Sequence, residues 1–393
     1  MGEVYKTIRN AFVGTATPYY VESNKDGYFY LESNNIKDGV INRIKEIFIN
    51  EEFYLSQRDK WLYEGDLVMV QSGHVGHTAV IPKELNETAA HALIIFQNQS
   101  KPTDPHFLNY ELQTTNSKKM LDNITIGNTI KHILASDMKE FKVSLPNKIE
   151  QTAIGNFFRT LDNTILLYKR KLDGLKQLKK AYLQQMFPQE GETVPKVRFT
   201  GFKGDWEMRK LGEISTFRRG SFPQPYGNAE WYDEDNGMPF VQVVDVGNDL
   251  RLVDDTKQKI SELAQHKSVY VPTGKVIVTL QGSIGRVAIT QYPAFVDRTL
   301  LIFDDYKLST DIYYWAYVVQ QKFDIEKKTA PGGTIKTITK EVLSKFEIAL
   351  PVIAEQTAIG NFFRNLDEQI ATQQTKLDNL KQLKSAYLHK MFV

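Results

Sequence analysis

His74 and His77 stand three residues apart, a spacing at which two imidazoles can share a metal ion. They lie beside Gly73 and Gly76, however, with no cluster of carboxylates in the local sequence. They read as part of a solvent-facing loop, and no metal site is expected. Glu140-Phe141-Lys142, with Asp137 close by, has the outline of a metal-dependent nuclease motif. Glu-x-Lys is a frequent chance pattern, and the corresponding residues of a second copy described below, Lys345-Phe346-Glu347, reverse the charges. An adenine methyltransferase would show an Asp/Asn-Pro-Pro-aromatic loop and a glycine-rich loop for S-adenosylmethionine. Neither is present; the nearest segment, Phe12 to Ala16, lacks the second glycine and reads as a loop beside a strand. There is no Gly-x4-Gly-Lys-Ser/Thr phosphate loop, so ATP is not handled by that route. The absence of cysteine excludes disulfides, cysteine-ligated zinc and thiol catalysis, and it fits an intracellular protein. The expectation is a chain with no catalytic residue and no cofactor of its own.

A different chemistry suits the polar residues better. Arginine and glutamine offer paired hydrogen bonds to the edges of guanine and adenine. Arg218, Arg219, Gln242, Gln281, Ser283, Arg286 and Arg298 are candidates for such contacts in the second half of the chain. Gln71, Ser72, His74 and His77 occupy the corresponding loop of the first half. The element Gly-x-Thr-Ile-Lys occurs twice, at Gly127 to Lys131 and Gly332 to Lys336. Its glycines permit a tight turn, and Thr129, Lys131, Thr334 and Lys336 are suited to phosphate. A turn that docks each unit onto its helix accounts for the same residues equally well. Because 49 Lys and Arg face 47 Asp and Glu, a net charge of +2, any nucleic-acid surface has to be local.

What positions these residues is an internal duplication. Glu150 to Phe187 recurs as Glu355 to Phe392, and 26 of the 38 aligned positions are identical, far above chance. The match fades upstream through Leu145-Pro146 against Leu350-Pro351, then Gly65 onward against Gly274 onward and Ala92 to Phe96 against Thr299 to Phe303. The order is variable unit, conserved segment, variable unit, conserved segment.

Each conserved segment has apolar residues in alternating steps of three and four. Phe158, Leu161, Ile165, Leu172 and Leu175 mark the first seam, and Phe363, Leu366, Ile370, Leu377 and Leu380 the second. Two long helices packed as an antiparallel coiled coil are expected. Lys169, Arg170, Lys171, Lys176, Lys179 and Lys180 read mostly as a solvated face, with Lys179 also filling one seam position. The variable units mix short β runs (Leu67 to Gln71, Ala92 to Phe96, Val276 to Leu280, Leu300 to Phe303) with helices near His106 to Leu112 and Ile312 to Phe323. The fold class is α/β (α+β): two modules of mixed strands and helices joined by two long helices, with a pseudo-two-fold internal repeat. The expected domains are 1–146, 147–190 (first helix), 191–351 (a linker and the second unit) and 352–393 (second helix).

The doubled element L-P-x3-EQ-x-AI-G-x-F, the K-L-D-x-LK-Q-LK-x-AYL-x2-MF helix ending and the WEMRKLGEI segment from Trp206 closely resemble the specificity subunits of type I restriction-modification systems. The resemblance covers essentially the whole chain. It implies two target recognition domains that read the halves of a bipartite, asymmetric site on double-stranded DNA. It implies helices that space those halves and dock two modification subunits, with restriction subunits completing the complex. S-adenosylmethionine, ATP and magnesium would then belong to the partner subunits. One departure stands out: Met1-Gly2-Glu3-Val4 aligns with Leu211-Gly212-Glu213-Ile214, so the lead-in Val197 to Lys210 has no counterpart before the first unit, which reads as clipped. No stretch of about 18 apolar residues is present, so the expectation is a soluble, cytoplasmic protein with no membrane partner. The competing reading is a coiled-coil scaffold whose end domains bind proteins.

Overall fold

The computed structural model describes residues 1–189, 191–329 and 343–392. The chain forms two compact units, one from residues 1–170 with 375–392, the other from residues 171–374. Each unit therefore owns one variable region and one end of each long helix.

In the first unit a four-stranded antiparallel sheet is ordered Tyr5–Asn10, Leu93–Gln99, Leu67–Val70, Thr78–Val80. The two inner strands carry Val, Ile, Leu, Met and Phe side chains that are fully buried on both faces, which is why they read as unbroken apolar runs. A second small sheet contains the parallel pair Tyr28–Glu32 and Ala89–His91. The second unit repeats this scheme. Its first sheet is ordered Ser215–Arg219, Leu300–Tyr306, Val276–Thr279, Val287–Ile289, and its second contains the parallel pair Met238–Val241 and Ala294–Val296. Helices Pro105–Glu111 in the first unit and Ile312–Thr329 in the second pack onto the sheets; Asp104 caps the first, accepting from the amides of His106 and Phe107.

The long helices run from Lys148 to Gln185 and from Ile353 to Met391. In the first unit the start of one lies antiparallel to the end of the other: Phe157 packs edge-on against Tyr387, and Asp162 pairs with Lys384. In the second unit Tyr182 packs edge-on against Phe362, and Lys179 pairs with Asp367. Along the seams Phe158, Leu161, Leu172, Phe363, Leu366 and Leu377 are buried, while Ile165, Leu175, Ile370 and Leu380 are half-buried. Lys179 occupies its seam position and not the solvated face. Its side chain is 16% exposed, because its ammonium turns inward to Asp367 at 2.5 Å.

The lead-in to the second unit is a built element. Glu207–Lys210 pairs antiparallel with Glu347–Leu350, Trp206 is buried against Phe187 and Tyr314, and Arg198 forms a two-pronged ion pair with Glu355, which is wholly buried. Among the described residues no helix is long and apolar enough to cross a membrane.

Candidate nucleic-acid interface

The candidate side chains gather where each sheet ends in a glycine-containing loop, and the two units build that loop with the same hydrogen bonds. In the first, Gln71 N donates to Ala92 O and Gly76 N to Val70 O; in the second, Leu280 N donates to Thr299 O and Gly285 N to Thr279 O. Gly73, Gly76, Gly282 and Gly285 all have positive φ, between 64° and 84°, where a side chain would strain the backbone. The loops therefore share a skeleton and differ in what they display. Ser72, His74 and His77 in one stand where Gln281, Ser283 and Arg286 stand in the other.

A short 3-10 turn flanks each loop. Ser33–Asn35 is closed by Asn35 Oδ1, which accepts from Glu32 N, and Val243–Asp245 by Asp245 Oδ2, which accepts from Gln242 N. The loop that follows receives one side chain from the glycine loop: His77 Nδ1 accepts from Asp38 N at 3.2 Å, and Arg286 donates to Val246 O at 3.3 Å. Burial pushes the His77 imidazole below its ordinary range; Asp38 opposes this, while His74, Lys118 and Lys37 add to it. His77 and Arg286 thus brace each glycine loop against the loop beside it. His74 remains exposed, with Nε2 at 3.0 Å from Ser33 O. Gln281 and Ser283 are exposed, and Gln242 is half-buried at the head of its turn.

The Gly127 element packs on the glycine loop, not on the long helix. Ile126 and His132 close a hairpin, Gly73 N donates to Lys131 O, and a Cβ on Gly127 would stand 2.3 Å from Ile130 O. Thr129 and Lys131 are exposed beside Ser72, which places phosphate-suited groups next to base-suited ones. Thr334 and Lys336 lie outside the described residues.

Arg298 is exposed above the Tyr226 ring at 5.3 Å, and Asp297 beneath it accepts from Tyr226 and from Thr299. The corresponding residue of the first unit is His91, whose Nε2 meets Gly14 O at 2.9 Å. Sequence reasoning passed over His91, since a lone histidine at a strand end carries no motif. Comparison of Ala92 to Phe96 with Thr299 to Phe303, extended by one residue, pairs it with Arg298. Lys37 and Lys118 were missed for the same reason, being distant in sequence from the loop whose charge they raise.

Two candidates are placed differently from their neighbours. Gln71 is buried, and its Oε1 has no hydrogen-bond partner, so it belongs to the loop's support instead of its exposed rim. Arg218 faces along the sheet, where Nε is 2.9 Å from both carboxylate oxygens of Asp304, because the strand register sets the two residues diagonally across a ladder. Arg219, at the strand's end, is exposed and precedes Gly220, where a Cβ would stand 2.1 Å from Val296 O. The described residues contain no group of three or more histidine, aspartate or glutamate side chains placed to hold a metal ion.

The comparisons with known proteins agree along the length of the chain. The family model described as "Type I restriction modification DNA specificity domain" matches twice, over residues 7–177 and 203–382. The chain is 22% identical to the putative type I restriction enzyme MjaX specificity subunit of Methanocaldococcus jannaschii, covering 98% of this chain and 90% of that one. It is 23% identical to the EcoBI specificity subunit of Escherichia coli, covering 89% and 79%. Among solved structures it is similar to the type I restriction-modification S subunit from M. genitalium, with a TM-score of 0.65 at 15% identity over all of this chain and 94% of that one.

Proposed function

The chain belongs to the type I restriction-modification DNA specificity family, and from that membership we propose how its two units divide the work. It is the subunit that recognises DNA sequence within a type I restriction-modification complex. Each unit reads one half of a bipartite, asymmetric site on double-stranded DNA through its glycine loop, the neighbouring 3-10 turn and the strand end carrying His91 or Arg298. The long helices fix the gap between the halves and dock two modification subunits. Those partners bind S-adenosylmethionine and methylate adenine, which requires the base to leave the stack. Restriction subunits, using ATP and magnesium, join to cleave. This chain itself supplies no catalytic residue and works in the cytoplasm.

One observation carries the reading: the two loops share hydrogen bonds and glycine positions, with His77 and Arg286 as braces, yet present different side chains, Ser72 and His74 against Gln281 and Ser283. A common skeleton with divergent donors and acceptors is what reading two different half-sites requires. The test is methylome sequencing of cells that express the chain with its modification subunit, against cells lacking this chain alone. N6-methyladenine at one split, asymmetric motif is expected. A stable complex that produces no motif would favour the scaffold reading instead.

A further inference from the structure

Three base-suited side chains of the second unit leave the backbone on neighbouring rungs. Thr299 O accepts from Leu280 N, and Asp297 N donates to Val241 O. Arg298, between them in sequence, is thereby tied on one side to the start of the glycine loop at Gln281 and on the other to the 3-10 turn headed by Gln242. Leu300 N donates to Asp297 O at 3.0 Å and closes a tight turn that carries Arg298 at its tip. Asp297 is 3% exposed, and both its carboxylate oxygens are engaged: Oδ2 accepts from the Tyr226 hydroxyl, Oδ1 from the Thr299 amide at 2.9 Å and from the Thr299 hydroxyl. Burial, and after it Asp297, push the Tyr226 hydroxyl up to about 12, so it stays the donor. The Tyr226 loop is pinned in turn, since Tyr232 donates to Tyr226 O at 2.7 Å, Trp231 Nε1 donates to Pro225 O at 3.1 Å, and Phe222 packs on the Tyr226 ring. The Arg298 guanidinium lies over that ring, 5.3 Å from its centre.

An aromatic face fixes the plane of a guanidinium and leaves its N–H fork for a planar pair of acceptors. Because both Asp297 oxygens already have donors, the carboxylate steadies the turn without capturing that fork. Arg218 and Arg286 are placed otherwise, the first held by Asp304 and the second donating to Val246 O. The first unit has Ala90, His91 and Ala92 at the corresponding positions, with no carboxylate or hydroxyl, and its His91 is tied to Gly14 O. We propose that Arg298 reads a guanine in the half-site bound by the second unit, donating to O6 and N7 from the major groove, with Tyr226 and Asp297 as positioning residues. Guanine is the base whose major-groove edge presents two acceptors side by side. This assignment rests on recognition of DNA by the chain and adds the identity of one base.

The test uses the complete methyltransferase, this chain with its modification subunit. Methylome sequencing should give a motif with a G·C pair at one fixed position of one half. Arg298→Ala should relax that position alone, lowering the preference by about 5- to 150-fold, and leave the other half as in the parent. In equilibrium competition between duplexes, replacing that guanine by 7-deazaguanine, which lacks N7, should weaken binding by the parent, while inosine, which keeps O6 and N7, should bind as guanine does. Arg298→Ala should bind the guanine and 7-deazaguanine duplexes equally. Tyr226→Phe keeps the ring and loses the Asp297 contact, so it should lower the guanine preference less than Tyr226→Ala; a ratio of two duplexes is blind to a general loss of folded protein. A motif unaltered by Arg298→Ala, with affinity falling equally for every sequence, would make Arg298 a phosphate contact and overturn the proposal. A relaxed position that holds an A·T pair, or a parent that does not discriminate against 7-deazaguanine, would overturn it as well. A complex that forms and methylates no motif would instead refute DNA recognition itself, and this assignment with it.

Discussion

Lys384→Met puts the packing argument at risk most directly. Lys384 Nζ lies 2.7 and 2.9 Å from the two carboxylate oxygens of Asp162 and 5.3 Å from the Tyr110 ring, and the Tyr110 hydroxyl donates to the same carboxylate at 2.8 Å. The second unit repeats the arrangement with Lys179, Asp367 and Tyr317. Burial, reinforced by the carboxylate, pushes both tyrosines well above their ordinary range, so each hydroxyl stays a donor. The side chains of Lys384 and Asp162 are 13% and 12% exposed, which sets the pair much nearer the buried limit than the surface limit. Removing one partner of a buried pair costs about 3–5 kcal/mol, against about 0.2–1 kcal/mol at the surface. We therefore expect Lys384→Met to cost about 2–4 kcal/mol, which for a unit of this size lowers Tm by roughly 5–10 °C. Asp162→Leu combined with Lys384→Met should recover much of that loss, since the apolar pair strands no charge. Calorimetry on the four members of the cycle reads this directly. Lys381→Met, in an exposed pair with Asp378, is the control and should change little. A single-substitution loss below about 0.5 kcal/mol, or a double variant no better than the sum of its parts, would refute the reasoning.

Leu172→Asp and Leu377→Asp each place a charge at a position 3% exposed, so each should destabilise the chain by several kcal/mol; co-purification with the modification subunit should fail, and intact assembly would contradict the seam. The folded pKa of His77 lies below its unfolded value, so the stability this group contributes is complete above about pH 6.5 and is lost as pH falls through the folded value. His106 shifts the same way through burial and the nearby Arg159, so the His77 share is the difference between the parent and His77→Gln in the Tm change from pH 7.5 to 5.5, the variant losing less. Gln281→Ala should relax one half of the methylated motif at a cost of about 1–3 kcal/mol and leave the other half unchanged, while Lys131→Ala should weaken binding at all sequences and reduce its salt dependence.

The duplication and the helices were legible because their signals are local or self-referential. Glu150 to Phe187 matches Glu355 to Phe392 without any knowledge of shape, and a step of three and four residues places Phe158, Leu161 and Leu172 on one stripe wherever the helix sits. The glycines of the two loops were legible as turn formers, and their positive φ values follow from the same property. Which charge meets which was not. Asp162 and Lys179 share one helix, 17 residues and about 25 Å apart, so neither could be the other's partner; Lys384 and Asp367 fill those places because the second helix runs the other way. Arg218, a base-reading candidate by type, is held by Asp304 through strand register, and Gln71 is withdrawn beneath the loop it was expected to display. Periodicity and repetition belong to the chain as written. A hydrogen bond at 3 Å depends on which distant backbone arrives beside it, and for the loops of these two units the folded packing alone decided that.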